Sequence, residues 1–238
     1  MKFNFLKKFA VALCLIVPLA IMATGCTLVD TEARVSTVAE LKDAITNAKA
    51  GDKIILDADL VIDETIVIDK NITLDLNGKT ISNTQDVWSD KNWSLISITS
   101  GAEVTLDGDG KLIAKENDCY GIDLKDGSKL TINSGYINGN VHSVYVLEGT
   151  LTVNGGKFEV QQTYPTEGLE YEFVLNCYDA NREAGTAKII VYGGEFVKFN
   201  PANCKAEGAN TNFVADGYVS YANEDGTLYT VAKAEQQA

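Results

Sequence analysis

The residue types that most often carry chemistry in proteins are sparse in this chain. Its 238 residues include two arginines, Arg34 and Arg182, and one histidine, His142. Arg182 lies in an acidic segment with Asp179 and Glu183, which is typical of a solvent-exposed ion pair. His142 has no serine or cysteine at a spacing that marks it as a general base. We therefore assign no catalytic residue.

The sequence also lacks a metal-binding pattern. Asp107-Gly-Asp109-Gly begins like a calcium loop but has neither the third ligand nor the distant glutamate of an EF-hand, and Asp-Gly is ordinary turn chemistry. No Cys-x-x-Cys pair marks a zinc site among the five cysteines. We predict no cofactor and no metal, and we expect Cys119, Cys177 and Cys204 to be separate buried side chains.

Charge argues against nucleic acid as a partner. The chain has 33 acidic residues against 20 Lys and Arg, for a net charge of −13. Phosphate binding needs clustered basic side chains, which this balance does not supply. Hydrophobic residues make up 45% of the chain, which predicts a packed core rather than a disordered acidic polymer.

Aromatic side chains supply the predicted binding site. Trp88 and Trp93 lie in one polar segment, and Tyr164 and Tyr171 lie in another, the insertion 161–172. Flat apolar rings stack on sugars and are enriched where proteins meet. We predict that these four residues bind a glycan or a protein, with Arg182 as a polar anchor. The alternative is that the rings pack the loops onto the body of the protein.

The first 25 residues have the pattern of a secretory leader. Three lysines precede an apolar run from Phe9 to Met22 that is short for a membrane span. A core helix or an uncleaved anchor is the alternative. The sequence Ala23-Thr24-Gly25-Cys26 resembles a bacterial lipobox, although cleavage nearby by an ordinary signal peptidase is also open. The resemblance implies that Cys26 is lipidated, so we expect an exported lipoprotein of the cell envelope that faces outward and has the membrane as a partner.

The body of the chain is a repeat. Four segments share an apolar–Thr–apolar–Asp/Asn pattern followed by glycine, and a fifth keeps the apolar positions and the glycine but has neither the threonine nor the Asp/Asn. The five segments begin at Ile72, Val104, Leu130, Leu151 and Ile189. The alternation predicts strands with one buried face. The glycine column predicts corners that need positive φ or close approach of two backbones, at Gly78, Gly110, Gly135, Gly156 and Gly194. Another short apolar strand precedes each segment, and a third follows each glycine.

Three short strands per repeat predict an all-β fold, a single-stranded right-handed parallel β-helix. An antiparallel sandwich is the alternative, but it needs no identical column at every third strand. The stretch 53–83, with Asn71-Ile-Thr-Leu-Asp-Leu-Asn-Gly-Lys79, resembles pectin-lyase-like β-helix repeats of bacterial surface and phage-associated proteins. The stretches 193–203 and 211–218 resemble a C-terminal region of such proteins, and the likeness extends over about residues 36–231. It implies the fold and selects no single activity.

Caps complete the predicted organisation. Thr37 and Glu40 form a capping-box pattern at the start of an amphipathic helix over Val38–Lys49. Two apolar stretches, Tyr218–Tyr221 and Thr227–Val231, flank a turn and predict a hairpin. The predicted domains are a leader at 1–25, a tether at 26–35, a capping helix at 36–52, the β-helix at 53–200, and a C-terminal cap and tail at 201–238.

Two hypotheses of function compete. The first is a non-catalytic, surface-anchored binding or adhesion module. The second is a polysaccharide lyase or glycoside hydrolase, which rests on the likeness in fold. Such a lyase needs acidic calcium ligands with a basic group, commonly an arginine, and such a hydrolase needs clustered aspartates with His, Arg and Lys. Because the sequence marks neither set, we favour the binding module.

Overall fold

A computed structural model of the chain describes residues 31–83, 94–115, 118–162, 164–166, 169–208 and 210–235. Within these ranges the chain is all-β, with two short α-helices, α1 (Val38–Asn47) and α2 (Asp179–Glu183), and a 3-10 turn at Lys205–Glu207. Numbered in chain order, the strands run from β1 to β22, and most of them lie in three sheets that we call A, B and C.

Sheet A contains seven strands that all pair in parallel: β1 (Glu32–Val35), β2 (Lys53–Leu56), β5 (Ile72–Asp75), β8 (Glu103–Asp107), β11 (Ser128–Ile132), β14 (Gly149–Val153) and β19 (Ala187–Val191). Sheet C contains five parallel strands: β4 (Ile66–Ile68), β7 (Ser94–Ile98), β10 (Tyr120–Leu124), β13 (Val144–Val146) and β18 (Leu175–Cys177).

Sheet B contains six parallel strands followed by an antiparallel hairpin: β3 (Leu60–Ile62), β6 (Thr80–Asn83), β9 (Lys111–Ile113), β12 (Tyr136–Gly139), β15 (Lys157–Val160), β20 (Gly194–Val197), β22 (Leu228–Lys233) and β21 (Tyr218–Ala222). The remaining two strands form a separate antiparallel pair, β16 (Tyr164–Thr166) and β17 (Leu169–Tyr171). From β2 to β20 the chain visits sheets A, B and C in that order again and again, and only β16 and β17 interrupt the succession.

The repeat units share one register. The five residues that begin them are consecutive Cα partners across sheet A: Ile72, Val104, Leu130, Leu151 and Ile189. Their second apolar positions are buried too, which confirms the prediction of strands with one buried face. Six of these apolar residues are each at most 2% exposed: Ile72, Leu74, Leu106, Ile132, Val153 and Val191. Equal register stacks the same side chains in every strand of the sheet, so the apolar positions form one continuous core.

Both predicted reasons for the glycine column are confirmed. Gly78 has φ +73° and Gly156 has φ +97°, in the left-handed region that favours glycine. Gly110 has no positive φ, but a Cβ placed on it would lie 2.2 Å from the carbonyl oxygen of Lys79. The column therefore lets the backbone of one repeat rest directly on the backbone of the repeat before it.

The ends of the sheets carry the predicted caps, with adjusted bounds. The capping box is present, since the Thr37 side chain accepts from the Glu40 amide and the Glu40 carboxylate accepts from the Thr37 amide, but α1 ends at Asn47 rather than at Lys49. The hairpin β21–β22 also forms. The predicted tether at 26–35 overlaps a strand, because β1 pairs with β2 and Arg34 contacts Asp57 at 2.6 Å.

Candidate functional site

The predicted site residues have different outcomes in the structure. Cys26, Trp88 and Trp93 lie outside the described residues. Tyr164 and Tyr171 are Cα partners in the antiparallel pair β16–β17. Arg182 lies on α2, a short helix that the sequence did not predict.

The long insertions of the repeat lie on connections that lead into or out of strands of sheet C. Residues 84–93 connect β6 of sheet B with β7 of sheet C, and β16 and β17 lie on the connection from β15 of sheet B to β18 of sheet C. Helix α2 lies on the opposite connection, from β18 of sheet C to β19 of sheet A. Since long insertions in repeat proteins often border a binding face, the outer surface of sheet C is the candidate site.

A single column of side chains runs across this outer surface. Val67, Ser97, Asp123, Tyr145 and Asn176 are consecutive Cα partners from β4 to β18. Val67, Tyr145 and Asn176 alternate along their strands with buried residues of the core, whereas Ser97 and Asp123 are themselves buried. Tyr145 lies between the buried valines Val144 and Val146, and its ring is half-buried. The short strand predicted before the fifth repeat segment is β18, whose Leu175, Asn176 and Cys177 are in register with β13.

Four rings, including Tyr145, form a cluster centred on His142. The ring of His142 stacks on Tyr145 with centroids 5.0 Å apart and an interplanar angle of 17°. Tyr120 lies 4.5 Å from His142 and 5.5 Å from Tyr145, and Phe173 meets His142 edge-on at 5.7 Å. These distances are typical of favourable aromatic pairs. We call Tyr120, His142, Tyr145 and Phe173 the aromatic cluster; His142 is its buried centre, and the other three rings are half-buried.

The aromatic cluster is uncharged at neutral pH. His142 Nδ1 lies 3.0 Å from the carbonyl oxygen of Phe173, and since a carbonyl only accepts, Nδ1 carries the proton in this bond. Burial lowers the pKa of His142 to about 4, so the imidazole is neutral at physiological pH. Burial also raises the pKa of Tyr145 to about 12, so its phenol stays protonated and able to donate.

A buried carboxylate lies beside the aromatic cluster. Asp123 is 3% exposed and precedes Tyr145 in the outer column. Its carboxylate accepts hydrogen bonds from the hydroxyl of Ser94 and, at 3.1 Å, from the hydroxyl of Ser97, and Lys125 Nζ lies 2.9 Å from Oδ2. Its charge is therefore matched by a cation and its oxygens are engaged, as a buried charge requires. Asp123 thus lies next to the rings as a buried charge whose oxygens are already engaged within the protein.

Arg182 is bound to an acid that the sequence did not single out. Its Nε lies 2.7 Å from Oε2 of Glu207, although the two atoms are not aligned as a hydrogen bond, and a weaker contact of 3.6 Å joins it to Asp179. The Glu207 side chain is fully buried, and its other oxygen accepts from the backbone N–H of Cys177 on β18. Arg182 therefore joins α2 to the C-terminal segment; whether it also anchors a ligand stays a prediction.

The three described cysteines are buried and free, as predicted. Burial raises the pKa of each thiol to about 12, so they remain protonated and poor nucleophiles. Within the described ranges, no group of three or more His, Cys, Asp or Glu side chains is arranged to hold a metal ion. In the same ranges the helices are too short or too polar to cross a membrane.

The aromatic cluster and Asp123 are the parts of the candidate site that motif reading missed. No spacing in the sequence marks His142 as a partner of Tyr120 or Tyr145, because the three rings meet across neighbouring strands. The usable signal is the middle position of each sheet C strand, where Asp123 and Tyr145 interrupt apolar residues. Comparison of the chain with protein-family models, curated proteins and solved structures finds no significant match.

Proposed function

We propose that this chain is an exported, non-catalytic binding protein that holds a glycan against the outer surface of sheet C. The observation that carries the proposal is the aromatic cluster, whose half-buried Tyr145 ring belongs to the outer column of sheet C. Half-buried rings offer flat apolar faces on which sugar rings can stack.

The scaffold in this proposal is a right-handed parallel β-helix. The repeated succession of sheets A, B and C and the parallel pairing within each sheet support a coil with three strands per turn. Connections between parallel strands are right-handed in about 98% of cases, which supports that hand for the coil.

A neutral or weakly charged glycan fits the electrostatics of the site. The imidazole of His142 and the phenol of Tyr145 are both uncharged at neutral pH, and Lys125 matches the charge of Asp123. The chain as a whole has a net charge of −13, which repels a polyanion at moderate salt. Binding would therefore depend on stacking and hydrogen bonds, with little dependence on ionic strength.

A binding role also fits the state of the acid at this face. A glycosidase or lyase needs a base or nucleophile that reaches the substrate. Asp123 is 3% exposed, and its oxygens accept from Ser94 and Ser97 and contact Lys125. A carboxylate that is buried and bonded in this way is suited to holding the strands of a binding face in place and is poorly suited to exchanging a proton with a substrate.

The test of the proposal is the substitution Tyr145→Ala. We expect it to weaken binding to the glycans that a glycan array identifies by about tenfold, which is close to 1.4 kcal/mol, because it removes the central ring of the site. The matched control is Tyr192→Ala, which removes a ring that is 38% exposed and lies directly after β19 of sheet A. Binding is measured by calorimetry and stability by thermal unfolding.

Several outcomes would contradict the proposal. Equal losses in the two variants would mean that the sheet C face is not the site. A fall in binding that only follows a fall in the unfolding midpoint would make Tyr145 structural. Release of reducing ends or of unsaturated products from any polysaccharide would favour the lyase or hydrolase hypothesis instead.

The proposed location is the outer surface of a membrane, with Cys26 as the lipidated first residue of the mature protein. The lipobox-like sequence Ala23-Thr24-Gly25-Cys26 supports this assignment, and two or more acyl chains give stable anchoring. We expect mass spectrometry of the mature N-terminus to find Cys26 with its acyl chains, and Cys26→Ser to move the protein from the membrane to the soluble fraction. An unmodified N-terminus at Thr27 or later would refute the assignment.

A further inference from the structure

The three sheets end in different ways on the C-terminal side. In sheet A, the last strand β19 is covered by residues 213–215, since Val191 donates to the carbonyl of Phe213 and accepts from the amide of Ala215. In sheet C, the last strand β18 has its Cys177 amide bound by the Glu207 carboxylate. In sheet B, β20 pairs with β22, and β22 pairs with β21. The hairpin therefore moves the edge of sheet B outward to β21.

The outer edge of β21 has free backbone groups. The hydrogen bonds from Asn223 N to Leu228 O and from Ala234 N to Gly217 O mark the two ends of the β21–β22 ladder. Because antiparallel ladders alternate, Val219 and Tyr221 face β22, whereas Ser220 and Ala222 point their backbone groups away from it. Among the described residues, no backbone group bonds the amides of Ser220 and Ala222.

This edge also lacks the features that usually protect one. Natural edge strands are blunted by lysine, by proline, by a bulge or by a covering element. The strand Tyr-Val-Ser-Tyr-Ala has no charge and no proline, and its pairing with β22 runs through five residues without a bulge. Val219 is 39% exposed and Tyr221 is 48% exposed. An edge of this kind is a template for one more strand.

We propose that β21 is a docking site for an extended segment of another protein, which adds as an antiparallel strand and carries basic residues at its flanks. The charge around the strand selects such a partner, because the segment 216–235 contains four acids and one base: Asp216, Glu224, Asp225, Glu235 and Lys233. The site is separate from the proposed glycan face, and either proposal can fail without the other.

A second copy of the chain is a poorer occupant than a basic segment. Antiparallel pairing of β21 with itself, centred on Ser220, would put Asp216 of one copy opposite Glu224 of the other. Like charges directly opposite each other destabilise a strand pair. The net charge of −13 on each copy adds repulsion over a longer range.

The probe that tests the proposal is a capped peptide, Lys-Tyr-Val-Ser-Tyr-Ala-Lys. Aligned antiparallel on β21, it places Val opposite Tyr221 and Tyr opposite Val219, and its lysines lie next to Asp216 and Glu224. We expect calorimetry with the full mature chain to detect binding, and a peptide with glutamate in place of both lysines to bind at least about tenfold more weakly.

Two variants locate the binding at the edge. Ser220→Pro removes one outward amide and leaves the ladder to β22 intact, so we expect at least about a tenfold loss of peptide binding with an unchanged unfolding midpoint. Val219→Lys puts a cation against the basic peptide without touching the backbone, and we expect a similar loss. The matched control Val61→Lys, on an exposed valine of β3 at the other edge of sheet B, should bind the peptide as the native chain does.

Each remaining outcome overturns the proposal. Absence of binding to the lysine peptide, or equal binding of the glutamate peptide, would exclude a basic strand as the occupant. A dimer of the native chain in sedimentation that Ser220→Pro converts to monomer would assign the edge to a second copy. Loss of binding in Val61→Lys equal to that in Val219→Lys would show a general charge effect and no edge site.

Discussion

Replacing Gly156 by alanine is expected to lower the free energy of unfolding by about 3 kcal/mol. Gly156 has φ +97°, where an L-residue is strained, and its added Cβ would lie 2.8 Å from the carbonyl oxygen of Gly135. That oxygen belongs to the backbone of the preceding repeat and cannot turn aside as a flexible side chain can. The substitution therefore pushes two repeats apart as well as straining one residue.

The matched control is Gly78→Ala in the same glycine column. Gly78 has φ +73°, but nothing lies within 4 Å of the position its Cβ would take. We expect a loss of only about 1 kcal/mol there, from backbone strain alone. Chemical denaturation of both variants measures the difference. Equal losses would mean that strain at positive φ explains the glycine at both of these positions and that contact between repeats adds nothing at Gly156.

Replacing Glu207 by alanine is expected to lower the free energy of unfolding by about 3 kcal/mol. The substitution removes one of the two acceptors of the Cys177 amide, which also donates to Asn176 Oδ1 at 3.0 Å, and it takes from Arg182 its closer acid. Arg182 keeps its contact with Asp179, and its side chain is 26% exposed, so water replaces part of what it loses. Thermal and denaturant unfolding measure the loss, and hydrogen exchange of the Cys177 amide should speed up with it.

The variant Glu207→Gln separates the hydrogen bond from the charge. Burial raises the pKa of Glu207 above its usual 4.5, against the opposing effects of Cys177 and Arg182. A carboxyl whose pKa is raised by folding gives its full stabilisation at low pH and loses it as pH rises through the folded value. We therefore expect the glutamine variant to gain stability relative to the native chain as the pH rises above 4.5. A constant difference over that range would contradict a raised pKa.

The repeat made much of the fold predictable. Thr73, Thr105, Thr131 and Thr152 recur at one place in the pattern, and they are Cα partners in neighbouring strands of sheet A. Because the same structural position recurs in several repeats, the same residue type recurs in the sequence, and the recurrence makes the strand register predictable. The capping box of Thr37 and Glu40 was predictable for another reason: it is a local contact between residues three apart.

The candidate site was less predictable, because its contacts are neither repeated nor local. Arg182 was expected to pair with nearby acids, but its closer partner is Glu207, 25 residues further along the chain. His142 looked solitary in the sequence, yet it packs against Tyr120 on one strand and Tyr145 on the next. Each of these contacts occurs once, so no column of the repeat could reveal it.

The strand order of sheet A has a mechanical consequence. β1 lies at one edge and β19 at the opposite edge, so tension between the two ends of the chain pulls across successive rows of hydrogen bonds. Units that contact only their neighbours release singly from an end under such a load. The 21 residues from Leu130 to Leu151 would yield roughly 70 Å of slack at about 3.3–3.6 Å per extended residue. A chain of this build would therefore lengthen stepwise under tension, one repeat at a time.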